Sequence, residues 1–268
     1  MSVLNEVSQL VGDVRLKKPL IHHITNYVTV NDCANMVLAI GGSPVMADDL
    51  AEVEEMVTFA SALVINIGTL NERTIQSMIT AGKKANQLGI PVILDPVGVG
   101  ATTLRTETIA ILLKEVRFAV VRGNMSEIKM IAGLDVQIKG VDSIANEENG
   151  IEIAKAFSAK LGTVVAITGA VDIVASQDKV CKISNGDKML ADVTGTGCMS
   201  TSLIGTFAGV TKDYFLAAIA GITTMGLSGE LAKQRLTEHQ AIGTFKVNLF
   251  DEISKMSEET LRNGGKVV

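Results

Sequence analysis

The sequence predicts an α/β fold, a three-layer α/β/α sandwich with a mostly parallel central sheet, because short apolar runs alternate with longer amphipathic segments along all 268 residues. Continuous apolarity is typical of strands that helices cover on both faces. Four runs are apolar throughout: Ala62–Ile67, Pro91–Leu94, Phe118–Val121 and Thr163–Ile167. The segments Asn71–Leu88 and Ile151–Leu161 have the amphipathic pattern of the crossover helices that such a sheet needs.

The second half of the chain predicts a hairpin and then helices. Two β-rich runs, Asp172–Ala175 and Lys179–Ser184, flank the turn-like Ser176–Gln177–Asp178. Three helical segments follow, at roughly Cys198–Ala208, Asp213–Gln234 and Gln240–Met256. No linker divides the chain, and the most polar stretch, Gly140–Gly150, is short, so we expect a single domain over residues 1–268.

Composition excludes several classes of function. A net charge of −5 argues against a nucleic-acid partner, because a phosphate backbone is bound by clustered Lys and Arg. Three widely spaced cysteines predict neither a disulfide framework nor a zinc site, which favours a cytoplasmic location. Met1–Lys18 lacks the pattern of a signal peptide, and the apolar stretch Phe215–Ile222 is too short to cross a membrane. We therefore expect no membrane partner.

The strongest local signal is the segment Asp192–Cys198, D-V-T-G-T-G-C, which runs directly into a helical pattern. Glycines at positions 195 and 197 allow backbone N–H groups to converge, and a helix N-terminus adds partial positive charge. We expect the loop Thr194–Cys198 to hold a phosphoryl group. The alternative, with equal support from the pattern alone, is a glycine-rich connection into a packed helix.

Cys198 lies in the first turn of that helix. The helix dipole favours a thiolate there, so we expect a lowered pKa and a thiol that orients a substrate hydroxyl or accepts its proton. A cysteine in such a position can also be simply a small buried apolar side chain.

Three other strand ends carry polar side chains. Asp95 closes an apolar run, where it either contacts a metal ion or phosphate or caps the next turn. Arg122 is a cation at a strand end and favours an anion. Thr168 ends a fourth run, and with the glycine loop these residues describe a phosphoryl-transfer site.

Asn124 and Glu127 have the spacing of a helix capping box, and Glu127 either caps only or also faces the crevice and helps to hold Mg²⁺. Near the N-terminus, Asn26 and Met46 are candidates to line an acceptor pocket. The pair His22 and His23 has no third ligand at a recognisable spacing, so we assign it no metal.

Six motifs together resemble those of the hydroxyethylthiazole kinases, members of the ribokinase-like family. They are I-T-N at 24–26, G-G-S-P-V-M at 41–46, N-I-G-T-L at 66–70, L-D-P-V-G-V-G at 94–100, R-G-N-x-S-E at 122–127 and D-V-T-G-T-G-C at 192–198. The last motif is the most specific, because most ribokinase-like enzymes carry aspartate where this chain has Cys198.

The resemblance implies transfer of the γ-phosphate of ATP to the hydroxyl of 4-methyl-5-(2-hydroxyethyl)thiazole, with Mg²⁺, in thiamine biosynthesis. It also implies a homotrimer with acceptor sites at subunit boundaries. Carried over to this chain, the resemblance implies that Arg122, Thr168 and Thr194 contact ATP and that Asn26, Met46 and Gly195 line the thiazole pocket. It also implies that Asp95 and Glu127 hold magnesium and that Gly195, Gly197 and Cys198 are catalytic.

The sequence leaves three other functions open. The same scaffold could phosphorylate another small alcohol, such as a hydroxymethylpyrimidine, or serve a nucleotide-dependent hydrate dehydratase of related fold. Cys198 in place of aspartate speaks against both. A nucleotide-sensing binding protein without turnover is the third, and the complete set of polar residues at the strand ends speaks against it.

Overall fold

The computed structural model describes residues 2–133, 147–177 and 179–268, and these form one eight-stranded sheet with helices on both faces. The strands are β1 (Leu20–Ile24), β2 (Ser43–Met46), β3 (Ala62–Asn66), β4 (Val92–Asp95), β5 (Val120–Asn124), β6 (Val164–Thr168), β7 (Asp172–Ser176) and β8 (Lys179–Ile183). The helices are α1 (Val3–Lys17), α2 (Val30–Ile40), α3 (Val53–Thr58), α4 (Glu72–Leu88), α5 (Thr103–Glu115), α6 (Met125–Gly133), α7 (Glu147–Leu161), α8 (Thr196–Ala208), α9 (Tyr214–Gln234), α10 (Ile242–Lys255) and α11 (Glu258–Gly264).

The strand order is β2-β1-β3-β4-β5-β6-β7-β8. The first six strands in this order are parallel, whereas β7 and β8 pair antiparallel and extend the sheet at one edge. The predicted mostly parallel sheet and the hairpin are therefore confirmed. Asp178 of the predicted turn lies outside the described residues, as do residues 140–146 of the polar stretch.

Alternate strand residues face two separate apolar cores, which explains the continuous apolar runs. In β3, Ala62 and Val64 pack against one core, and Leu63 and Ile65 pack against the other. The first core is built with α1, α2 and α8–α11, and the second with α3–α7. The predicted three layers follow from this two-sided burial.

Several element boundaries differ from the prediction by a few residues. The strands β4, β5 and β6 extend to Asp95, Asn124 and Thr168, beyond the last residue of each apolar run, because backbone pairing continues there. Helix α8 begins two residues earlier than expected, at Thr196, directly after the glycine turn. The prediction did not include α11, which is short.

Helix α9 is long and apolar enough to cross a membrane by length and composition, more so than the stretch Phe215–Ile222 suggested. Most of this helix is buried inside the protein, where it packs between α8 and α10. Burial on nearly all sides accounts for its apolar composition.

His22 and His23 lie inside β1 and are both buried. His22 Nε2 is 2.7 Å from the carbonyl oxygen of Ala47, and His23 Nε2 is 3.0 Å from the hydroxyl of Ser202 in α8. Burial lowers the pKa of His23 to about 4, and burial also lowers the pKa of His22. Both side chains are therefore neutral packing groups that join the sheet to its neighbours.

Because the pKa of His23 in the folded chain is below its ordinary value of 6.5, the unfolded chain binds a proton first as the pH falls. The free energy of unfolding should drop between pH 6.5 and pH 4 by as much as about 3 kcal/mol. Urea denaturation at several pH values, on the wild type and His23→Gln, measures this slope. His239→Gln, which alters an exposed histidine, is the control. An unchanged slope in His23→Gln would contradict the assignment.

Candidate active site

The carboxyl ends of the central strands meet the N-terminus of α8 at one edge of the sheet. The centre of this cluster is Asp95, the last residue of β4, whose side chain is fully buried. Asp95 Oδ2 accepts hydrogen bonds from Asn66 Nδ2 at 2.8 Å and Thr201 Oγ1 at 2.9 Å. Adjacent parallel strands bring Asn66 beside Asp95, and α8 brings Thr201 onto it.

The other carboxylate oxygen, Asp95 Oδ1, has no hydrogen-bond partner among the residues that the structure describes. It lies 3.7 Å from Nη1 of Arg122 on β5, an ion pair with long geometry. Burial raises the pKa of Asp95, and the charge of Arg122 and the bonds from Thr201 and Asn66 oppose this rise. This oxygen is therefore placed to accept a further proton donor or a cation.

Two side-chain amides direct hydrogen atoms at the sulfur of Cys198. Asn66 Nδ2 lies 3.2 Å from Cys198 Sγ, and Asn26 Nδ2 lies 3.5 Å from it. Asn26 also donates to Asn66 Oδ1 at 2.9 Å, and its own Oδ1 accepts from the backbone and hydroxyl of Thr29. The sulfur therefore accepts hydrogen bonds from a fixed polar frame that also contains Asp95.

The expected low pKa of Cys198 is wrong. Burial raises the pKa of this thiol, and the nearby charge of Asp95 raises it further, while hydrogen bonds from Thr29, Asn66 and Asn26 oppose the rise. The thiol is only 9% exposed, so desolvation of the charged form outweighs its helix-terminal position. A neutral S–H group that orients a hydroxyl fits this environment better than a resting thiolate does.

A cavity of about 570 Å³ lies on the other side of the α8 N-terminus. It is lined by Arg122, Thr168 and Gly197, and Arg122 Nη2 donates to Thr168 Oγ1 at 2.5 Å. A Cβ atom on Gly197 would lie 2.6 Å from Arg122 Nη1, so only glycine lets the guanidinium approach the helix this closely. Three predicted residues are thus brought together at one cavity.

Gly195 forms the cap of α8 with a φ of +88°, a conformation that favours glycine. A Cβ atom here would also meet the methyl group of Thr29. Thr194, which precedes it, is exposed at the surface, while Thr196 is held by a 2.9 Å hydrogen bond to the carbonyl of Leu190. The loop is therefore a close-packed turn into α8, with Thr194 on its outer side.

Asn124 and Glu127 form the predicted capping box at the start of α6. Asn124 Oδ1 accepts from the N–H of Glu127 at 2.9 Å, and Glu127 Oε2 accepts from the N–H of Asn124 at 2.8 Å. Glu127 Oε1 additionally accepts from the N–H of Gly98 at 2.9 Å. Both carboxylate oxygens of Glu127 are thus engaged by backbone, which ties the loop after β4 to α6.

Met46 ends β2, where it is half-buried beside His23 of β1. Asn26 follows β1, so both residues lie at the same edge of the sheet, on the side of β4 away from the large cavity.

Sequence reasoning did not assign roles to three residues of this region. Asn66 stood in the N-I-G-T-L motif, but the motif alone did not show that its amide faces Asp95 and Cys198. Thr201 lies one turn after Gly197, a helical spacing that could have suggested it. Asp172 lines the cavity and accepts from the N–H of Gly169 at 2.9 Å, and burial raises its pKa to about 6.

Among the described residues, no group of three or more His, Cys, Asp or Glu side chains is arranged to hold a metal ion. A magnesium ion commonly needs only one or two protein carboxylates, since substrate phosphates and water complete its shell. Asp95 Oδ1, which has no hydrogen-bond partner among the described residues and only a long ion pair with Arg122, is a carboxylate oxygen of this kind.

Comparisons with known proteins agree with this geometry. The model of the hydroxyethylthiazole kinase family matches residues 11–259. A protein from Alkaliphilus oremlandii named hydroxyethylthiazole kinase is 56% identical over 268 residues, covering 100% of this chain and 99% of that protein.

Two solved structures share the fold. The hydroxyethylthiazole kinase protein from Pyrococcus horikoshii is 37% identical, has a TM-score of 0.90 and covers 98% of each chain. A ribokinase-like superfamily protein from Enterococcus faecalis is 13% identical with a TM-score of 0.62, covering 89% of this chain and 87% of that one, which supports the fold alone.

Asn66→Ala should lower the free energy of unfolding by about 2 kcal/mol, because it leaves buried Asp95, Asn26 and Cys198 each without one partner. Chemical denaturation measures this change. Asn35→Ala, on the exposed face of α2, is the matched control and should change stability by less than about 0.5 kcal/mol. Equal stability of the two variants would show that the buried amide frame is not held as described.

Proposed function

The chain belongs to the hydroxyethylthiazole kinase family, and from this premise we propose that it transfers the γ-phosphoryl group of ATP to the hydroxyl of 4-methyl-5-(2-hydroxyethyl)thiazole. The product is the thiazole phosphate, and the step serves thiazole salvage in thiamine biosynthesis. The observation that carries the proposal is the position of the α8 N-terminus, which separates the cavity at Arg122 from the Cys198 sulfur.

This arrangement supports an assignment of the two substrates. ATP occupies the 570 Å³ cavity, with Arg122, Thr168 and the loop residues Thr196 and Gly197 at its phosphates. Thr194 lies on the outer side of the loop and outside this lining, so we propose no ATP contact for it. The thiazole lies toward Asn26, Met46 and Gly195, on the Cys198 side. The γ-phosphoryl group then meets the N–H groups at the start of α8, which carry partial positive charge.

The mechanism rests on positioning and electrostatics, which dominate phosphoryl transfer. The neutral thiol of Cys198 orients the acceptor hydroxyl, since its sulfur is held by Asn66 and Asn26. The backbone N–H groups at Gly195, Gly197 and Cys198, with Arg122, stabilise negative charge on the group in transfer. The acceptor oxygen forms a bond to the γ-phosphorus as the bond from that phosphorus to the bridging oxygen breaks, so the thiazole phosphate and ADP are formed. The proton of the acceptor hydroxyl is released to water.

We also propose Mg²⁺ as the metal ion. Asp95 fits this role through Oδ1, which accepts no hydrogen bond from the described residues and lies 3.7 Å from Arg122 Nη1. Both oxygens of Glu127 already accept N–H groups, but each retains a lone pair that can accept a hydrogen bond from bound water. When bound with ATP, Mg²⁺ would neutralise phosphate charge.

The assembly, location and domain organisation are proposals of the same kind. Tyr27 and Val28, directly after Asn26, are 79% and 59% exposed, which supports a homotrimer whose interfaces cover them beside the acceptor pocket.

Free cysteines support a cytoplasmic location. Helices α8–α11 and α1 pack on the sheet formed by residues 20–183, which supports one kinase domain over residues 1–268.

ADP release from ATP and Mg²⁺ should depend on hydroxyethylthiazole. The assay compares three mixtures, with the thiazole, with hydroxymethylpyrimidine and with no acceptor, and mass spectrometry identifies the phosphorylated product. If ADP formed with hydroxymethylpyrimidine and not with the thiazole, the pyrimidine would be the acceptor and the thiazole proposal would be wrong. ADP with neither alcohol would contradict the kinase proposal and favour a dehydratase or a binding protein.

Gly197→Val and Cys198→Ala should separate the two sides of the site. The valine displaces Arg122, so both ATP binding and turnover should fall, the latter by about 100-fold. Cys198→Ala removes only the orienting thiol and should slow kcat by about tenfold or more while the Kd for ATP is unchanged.

Steady-state kinetics and calorimetry with ATP measure both variants, and circular dichroism verifies their folding. Gly243→Val, where an added Cβ has no atom of the described residues within 4 Å, is the control for the valine. Wild-type rates in Gly197→Val would contradict the proposed anion site at the start of α8. Loss of ATP binding in Cys198→Ala would show that the thiol contacts ATP and not the thiazole.

A further inference from the structure

A second cavity, of about 550 Å³, lies at the opposite edge of the sheet. It is found where β4, β5 and β6 begin, at Pro91, Phe118 and Thr163. These are the strands whose carboxyl ends carry Asp95, Arg122 and Thr168. The volume is within the range of small-molecule sites, about 300–1,000 Å³. No step of the proposed kinase reaction uses this cavity.

The lining of this cavity is positively charged, although the chain as a whole has a net charge of −5. Arg117, Lys179 and Lys212 line it, and Asp213 is the only acidic residue among the described lining residues. Asp213 Oδ1 is engaged as the cap of α9, where it accepts from the N–H groups of Phe215 and Leu216, both at 3.1 Å. The excess of cations favours an anionic ligand.

The three cations lack carboxylate partners within the described part of the chain. The guanidinium of Arg117 has neither a hydrogen bond nor an ion pair there, while its backbone is fixed by Asn86 in two hydrogen bonds of 2.7 and 2.8 Å. Among the described residues, Lys212 Nζ contacts one acceptor, the carbonyl oxygen of Gly89 at 3.5 Å. Lys179 Nζ stands 6.0 Å from the centroid of the Phe215 ring. Their charges are therefore available to a ligand.

The same cavity has aromatic walls. Phe118 and Phe215 are buried beneath it, and Tyr214 is half-buried at its side. Aromatic side chains offer a planar ligand ring favourable stacked or edge-to-face contacts. A ligand that fits both the charge and the walls carries an anionic group on a flat apolar ring.

We propose that this cavity binds a small aromatic phosphate, with its ring against Phe118, Tyr214 and Phe215 and its phosphate at Arg117 and Lys212. The site is separate from the kinase site, so the proposal does not depend on the function assigned above. Arginine and lysine are the usual partners of phosphate groups, and both line this cavity, where the one acidic side chain among the described lining residues, Asp213, is engaged as a helix cap.

Calorimetric titration of the full chain with phenyl phosphate tests this site. The same titration of Gly197→Val, whose valine crowds Arg122 at the kinase site, should give the same Kd and so distinguishes binding in this cavity from binding at the kinase site. Wild type should bind phenyl phosphate more tightly than phenol or inorganic phosphate. Arg117→Glu combined with Lys212→Glu should weaken binding by about tenfold or more.

The matched control is Lys233→Glu combined with Lys255→Glu, which makes the same change in net charge outside the cavity and should keep the wild-type Kd. If the glutamate variant fails to fold, Arg117→Gln with Lys212→Gln should weaken binding in the same direction. Equal affinity in the cavity and control variants, or inorganic phosphate bound as tightly as phenyl phosphate, would overturn the proposal.

Discussion

A carboxylate held entirely out of water must be supplied with donors or charge by its surroundings, and Asp95 imposes this requirement on the centre of the molecule. The strand beside it must end in a donor, which is Asn66. Helix α8 must lie close enough for Thr201 to reach the same oxygen, and β5 must carry a cation, Arg122. The local geometry of three neighbouring elements is thus set by one buried group.

The glycine turn and the amide frame then place a thiol and an anion site next to each other. Gly195 turns the chain into α8, and Gly197 leaves room for the guanidinium of Arg122. Cys198 follows immediately, on the side of Asn66 and Asn26. The side-chain amides of Asn26 and Asn66 each donate one N–H group to an oxygen and the other to the sulfur of Cys198. Every hydrogen of these two amides is therefore bonded, and the resulting network joins the segment after β1 to β3 and α8.

A parallel sheet has two unlike edges, and this chain places polar cavities at both. At the carboxyl edge the donors come from strand ends, the α8 N-terminus and Arg122, which suits a phosphate held against partial charges. At the amino edge full charges come from Arg117 after α5, Lys179 at the start of β8 and Lys212 before α9. The shared strands β4, β5 and β6 connect the two.

The sequence by itself determined the layered α/β fold, the parallel strands, the hairpin, the capping box of Asn124 and Glu127, and the strand ends that carry Asp95, Arg122 and Thr168. These features depend on periodicity and on spacing over a few residues, which a single chain displays directly. Tertiary structure alone decided that Asn66 and Thr201 share Asp95, and that the second oxygen of Glu127 accepts from the N–H of Gly98. It also brought Arg117, Lys179 and Lys212 to the lining of one cavity. It also decided that the pKa of Cys198 is raised. Each of these depends on contacts between residues far apart in the chain, and on the desolvation that those contacts cause, neither of which has a local pattern.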